Sequence, residues 1–198
     1  MGVGKTVVHS GLQELQRLGL VTIKPQSGVF VADYMRDGNL ATFNAIVRFN
    51  GDNLSVDTIA GLFDLRLAVE GAGMLALAQK HTPDDIAQLR ECIGSLGDFV
   101  ASEDFTYPAF AARLYEFPKL ICRLGGKPML ALVFKSVEEG AVYLTERYVR
   151  SIGTAAAINE LGRFADKLAH GDGEGAVEQL RECMDSQLER YRKQKQAP

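Results

Sequence analysis

The sequence predicts a mainly α-helical protein: a short helix and β-hairpin at the N-terminus, then an all-α bundle of six or seven helices. Three observations carry that reading. Apolar residues recur at helical spacing through almost the whole chain after Asp33. The clear pair of β-rich runs is confined to residues 20–31. Gly- and Pro-centred breaks divide the remainder into segments of helix length.

Composition narrows the class of protein. A chain of 198 residues with 46% hydrophobic content can bury a sizeable core, and its net charge of −3 argues against coating nucleic acid over the whole surface. No apolar run approaches the roughly 18 residues of a membrane span, and Gly2-Val3-Gly4-Lys5 is no secretory leader, so a cytoplasmic location is expected. Cys92, Cys122 and Cys183 are odd in number and widely spaced, which reads as reduced thiols rather than a disulfide. Charge is uneven: residues 1–32 carry Lys5, Arg17 and Lys24 against Glu14, or +2, leaving −5 for the rest.

In the first helix Val8, Leu12, Leu15 and Leu18 form one apolar stripe, with Lys5, His9, Gln13, Gln16 and Arg17 on other faces. Gly19 ends that helix as a left-handed residue. Residues 20–24 and 29–31 then flank a turn of Pro25-Gln26-Ser27-Gly28. A helix followed directly by a hairpin is the second half of a winged helix-turn-helix, whose helix enters the major groove while the wing touches phosphates. On this reading the DNA-binding residues are Lys5, Thr6, His9 and Ser10 on the helix, with Lys24, Gln26 and Ser27 on the wing. A solvated helix and hairpin of an α+β domain is the other reading of the same pattern. Gly4-Lys5-Thr6 resembles the end of a phosphate-binding loop but lacks its strand and first Gly.

Beyond Asp33 the expected helices are a linker at 39–49, a nearly all-buried helix from the Ser55 cap to about Lys80, and one opened by Thr82-Pro83-Asp84-Asp85. Further helices are expected at 105–124, 128–150, 154–170 and 173–194, with a fraying polar tail from Glu189. The domain reading is 1–33 for the partial winged helix, 34–54 for the linker, and 55–198 for an effector-binding and dimerisation domain.

The N-terminal stretch resembles the recognition helix and wing of the GntR family of bacterial repressors. The match is carried by Gly2, Val3, Val8, Leu12, Leu15, Gly19, Leu20, Pro25, Gly28, Phe30 and Val31. It departs where Gly4 replaces a capping Ser, Lys5 and His9 replace Arg, Gly11 replaces Ala, and Gln26 replaces a wing Gly. Leu65-Arg66-Leu67-Ala68-Val69-Glu70, then Phe117, Ile121, Gly126, Pro128 and Leu130, then Asp172 to Ala176 resemble the FCD effector domain of that family's FadR-like branch. The resemblance implies that two helices normally precede this segment, so the winged helix reads as truncated.

Most members of that branch hold a divalent metal with one Asp and three His. Here those positions fall on Leu114, Pro118, Leu161 and Cys183, so no metal and no cofactor are expected. The resemblance then implies an apolar acid, an acyl chain or aromatic carboxylate, as effector. Arg66 is the candidate carboxylate fork or else an i,i+4 partner of Glu70, with Tyr115, Tyr143, Arg147, Asn159 and Cys183 as further candidates. Taken together, these observations imply a ligand-responsive repressor binding operator DNA as a homodimer, not an enzyme. The alternative is a ligand-binding, dimerising module that has lost DNA binding.

Overall fold

The structure is a computed structural model that describes Gly2 and residues 4–196; Met1, Val3 of the N-terminal motif, Ala197 and Pro198 lie outside the described residues. Helix α1 (Lys5–Arg17) ends as the sequence predicts. Gly19 takes φ 67°, and the Leu20 N–H reaches back 2.9 Å to the Leu15 carbonyl, the closure that a left-handed glycine permits. Strands β1 (Val21–Lys24) and β2 (Gly28–Val31) pair antiparallel, with Val21 opposite Val31 and Lys24 opposite Gly28. The Ser27 N–H donates to the Lys24 carbonyl across a turn that holds Gln26 at φ 62°. Left-handed backbone costs a residue with a Cβ about 1–2 kcal/mol, which is the consequence of Gln26 standing where the related pattern has Gly.

A short helix α2 (Tyr34–Asp37), capped by the Asp33 side chain, leads into the linker helix α3 (Leu40–Asn50). Asn39 and Thr42 close a reciprocal capping box on α3. The Thr42 hydroxyl accepts from the Asn39 N–H and donates to the Leu18 carbonyl at 2.7 Å. That carbonyl belongs to the C-terminal cap of α1, so the linker satisfies a group that α1 cannot satisfy internally.

The bundle comprises α4 (Val56–Lys80), α5 (Pro83–Val100), α6 (Tyr107–Leu114), α7 (Glu116–Leu124), α8 (Pro128–Ser136), α9 (Glu138–Ile152), α10 (Thr154–Ala169) and α11 (Gly173–Gln196). Ser55 caps α4, and Thr82 with Asp85 forms the capping box of α5. The core is one cluster of side chains from α4, α5, α6, α7, α9, α10 and α11, with Met74, Leu77, Leu89, Phe110, Phe117, Ile121 and Leu168 fully buried. A smaller cluster of Val47, Leu54 and Ile59 ties α3 to the bundle.

Four expectations are corrected. The segment 105–124 is two helices, because Pro118 has no N–H for the Leu114 carbonyl and sits instead in the first turn of α7. The segment 128–150 breaks at Val137, where the Ser136 hydroxyl bonds back to the Leu132 carbonyl at 2.8 Å and competes with the helix ladder. Helix α4 is buried at Ile59 and again from Glu70 onward, but not between; Leu65 is exposed, while Leu62 and Phe63 are half-buried. Helix α11 runs on to Gln196 rather than fraying at Glu189, and the Tyr191 hydroxyl donates to the Leu54 carbonyl at 2.8 Å.

Candidate functional site

Two regions hold the candidate residues. On the first, Lys5, Thr6, His9 and Ser10 lie exposed along the first turns of α1, and Lys24, Gln26 and Ser27 lie exposed at the hairpin turn. Arg17 is bidentate to Glu14, at 2.8 and 2.6 Å, so that pair is locally neutral and the excess positive charge rests on Lys5 and Lys24. The Lys24 ammonium sits 5.2 Å from the centroid of the Phe30 ring, a cation–π contact that holds it along the wing. The apolar stripe of α1 is only partly covered. Leu12, Leu15 and Leu18 are half-buried, whereas Val8 remains 51% exposed.

The second region is a cleft between α4, the α8–α9 junction and α11. Helix α4 contributes Leu62, Phe63, Leu65, Arg66 and Val69. Tyr115 stands at its inner end, Val133, Phe134 and Val137 form the opposite wall, and Ala141, Leu144, Thr145 and Gln187 close it. Its free volume is about 40 Å³. That admits a few water molecules, whereas pockets for organic ligands usually offer roughly 300–1,000 Å³. As it stands, the cleft is too small to enclose a ring or an acyl chain.

Arg66 lines the cleft and is also paired with Glu70. Its Nε–H donates to Glu70 at 2.9 Å, with the side chains 23% and 2% exposed. Burial pulls the Arg66 pKa down, but Glu70 outweighs it and holds the guanidinium above its usual range. Tyr115 is buried, which pushes its hydroxyl above the ordinary tyrosine value, and that hydroxyl donates to the Phe134 carbonyl at 3.2 Å. Beside it, Lys119 bridges Glu116 and Glu138, and these carboxylates raise its pKa against the opposing effect of burial.

The other candidates lie apart. Tyr143 packs against Gly51 near the α3 cluster. Arg147 reaches its hydroxyl at 3.4 Å and lines a neighbouring groove with Tyr148, Arg190 and Tyr191. Asn159 is exposed on the outside of α10, away from the cleft, because its position falls on the solvent side of that helix's apolar stripe. Cys183 backs onto the core cluster and faces a shallow surface beside Glu160 and Arg163.

The positions where the resemblance would put metal ligands do not fit a metal. Leu114 and Leu161 pack into the main core, Pro118 is buried, and the Cys183 thiol is pushed up to about 11 by burial and by Glu160. A thiol held that high is a poor ligand at neutral pH. Among the described residues no three His, Cys, Asp or Glu side chains come together as a metal-binding group. Sequence reasoning missed Phe134, Thr145 and Asn44. For Asn44 one signal existed, a lone carboxamide inside the apolar run of the linker helix.

The Arg66–Glu70 pair generates a stability prediction. Arg66→Ala strands a buried carboxylate and should cost about 3–5 kcal/mol, read as a drop of about 10 °C in thermal melting. Arg66→Met with Glu70→Met should recover most of that loss. A single-variant cost of only a few tenths of a kcal/mol, as for a solvated i,i+4 pair, would show that the pair is not a buried one.

Comparison with known proteins places this architecture. Residues 61–186 match the family model described as the FCD domain. No curated protein gives a significant match. Among solved structures, a Streptococcus agalactiae GntR is similar at 14% identity and TM-score 0.55, over 93% of this chain and 82% of that one. A second is described as Lar, which controls the expression of the Listeria monocytogenes agr system and mediates virulence. It is 13% identical with TM-score 0.67, over 97% of this chain and 81% of that one. The FCD match spans most of the chain and the two solved structures share its fold, so the chain belongs to the FCD domain family.

Proposed function

We propose that the protein is a ligand-responsive transcriptional regulator that binds operator DNA as a homodimer and is controlled by an apolar acid in a metal-free cleft. The observation that carries this reading is the junction itself. An exposed helix and wing, bearing all seven candidate DNA contacts, is hydrogen-bonded to a linker helix that also packs on the effector domain. In this reading residues 1–33 read DNA, 34–54 transmit, and 55–198 sense and dimerise. Two subunits would set their recognition helices in major grooves about one helical turn apart.

Cleft chemistry supports an apolar effector. Its walls are mostly Leu, Val and Phe, and its one guanidinium is already balanced by Glu70. A carboxylate would therefore share Arg66 with Glu70 rather than meet an unbalanced charge, and most of its affinity would come from apolar burial. A second reading, a sensing and dimerising module without DNA binding, is favoured by one observation. The stripe of α1 is thinly covered at its start, with Val8 51% exposed, and the neighbouring Val7 is 62% exposed.

Two measurements separate these readings. Titration of the full chain against a mixed-sequence duplex over a salt series should give a log–log slope that falls by about 2 in Lys5→Ala/Lys24→Ala. No binding at low salt, or an unchanged slope, supports the second reading. Decanoate and phenylacetate at saturation should raise the melting temperature by about 5 °C or more through the effector domain. The gain should shrink in Arg66→Met/Glu70→Met, whose neutral cleft lacks the guanidinium. Equal gains in both proteins would remove Arg66 from the effector site.

A further inference from the structure

The break between α8 and α9 is bonded from two sides. In a continuous helix the Gly140 N–H would donate to the Ser136 carbonyl four residues back. Here the Asn44 carboxamide of the linker helix is inserted between these two groups. Its Oδ1 accepts from the Gly140 N–H at 3.1 Å, and its Nδ2 donates to the Ser136 carbonyl at 2.8 Å. A side chain inserted into the ladder is a recognised cause of a sharp helix bend. From the cleft side, the Tyr115 hydroxyl takes the Phe134 carbonyl of the same break. The two helices also meet closely: a Cβ on Gly140 would lie 2.7 Å from Cε1 of Phe43.

We propose that this break is a hinge through which the cleft acts on the linker helix, with Asn44 as the positioning residue that couples them. The proposal rests on reading the cleft as an effector site and adds the route by which occupancy is felt. Phe134, Val137 and Ala141 form the cleft wall around the break, so an occupant larger than a few waters must displace the segment that Asn44 holds. Asn44 sits one half-turn from Thr42, whose hydroxyl fastens the end of α1. Movement of the break is thereby delivered to the helix that carries Lys5 and His9. A two-position element biased from both ends is what coupling between sites requires.

The test needs no identified ligand. Val133→Phe intrudes on the cleft from α8, and Ala141→Leu does so from α9 if the first loses its cooperative melt. Amide hydrogen exchange is read on the full chain with and without Asn44→Ala. With Asn44 present, the intruding side chain should speed exchange of α3 amides 43–47 and of Gly140 by about tenfold. With Asn44→Ala, the α3 response should fall below about twofold while amides 134–141 still respond. Asn44→Asp keeps the acceptor for Gly140 but loses the donor to Ser136, so it should retain Gly140 protection and only part of the α3 response. An α3 response that is the same with and without Asn44, or absent in both, overturns the proposal. Failure of decanoate and phenylacetate to bind would count against the effector reading alone and leave this exchange result standing.

Discussion

Backbone groups left over where helices end or break must find partners, and in this molecule the linker helix supplies them at both of its sides. Thr42 takes the Leu18 carbonyl at the end of α1, and Asn44 takes both groups exposed by the break at Val137. A buried peptide group without a partner costs about 1–3 kcal/mol, so these bonds restrict where α3 can lie relative to either neighbour. Apolar packing of Val47, Leu54 and Ile59 holds α3 against the bundle, but packing alone permits sliding. The directional bonds set the register.

The helical bundle combines a dense core with a loosely filled seam. Met74, Leu77, Phe110, Phe117 and Ile121 are fully buried, whereas the cleft beside them is walled by a mixture of buried and half-buried side chains and one ion pair. Leu114 and Leu161 extend the dense core into positions that the family resemblance would assign to metal ligands. The chemistry left in the seam is apolar contact, the Arg66–Glu70 pair and the Tyr115 hydroxyl. Its α8–α9 wall is interrupted at Val137, whereas its α4 side belongs to a helix that packs into the core.

Local signals were read well from sequence. The capping boxes, the Gly19 stop, the hairpin and most bundle helices follow from short-range chemistry. The misses have tertiary causes. Ser136 is the local hint of the break at Val137, and the rest of its support comes from Asn44, over 90 residues away, and from Tyr115. Pro118 did carry a local signal for the division of 105–124, but a proline tolerated in a first turn reads ambiguously. Arg66 and Tyr115 line the cleft, whereas Asn159 and Cys183 lie outside it because helix rotation decides which side of α10 and α11 faces inward. Asn44 went unread as a functional residue because a lone carboxamide on a helix is usually solvated.

Helix α3 fixes the helix-and-wing segment to the helical bundle through directional hydrogen bonds. Spin labels at Gln13→Cys on α1 and Asp98→Cys on α5, in a chain with its native cysteines replaced by serine, report that geometry by pulsed dipolar spectroscopy. A single narrow distance distribution is expected, broadening when Thr42→Val removes the hydroxyl at nearly unchanged volume. An equally narrow distribution in Thr42→Val and in Thr42→Val/Asn44→Ala would contradict the account.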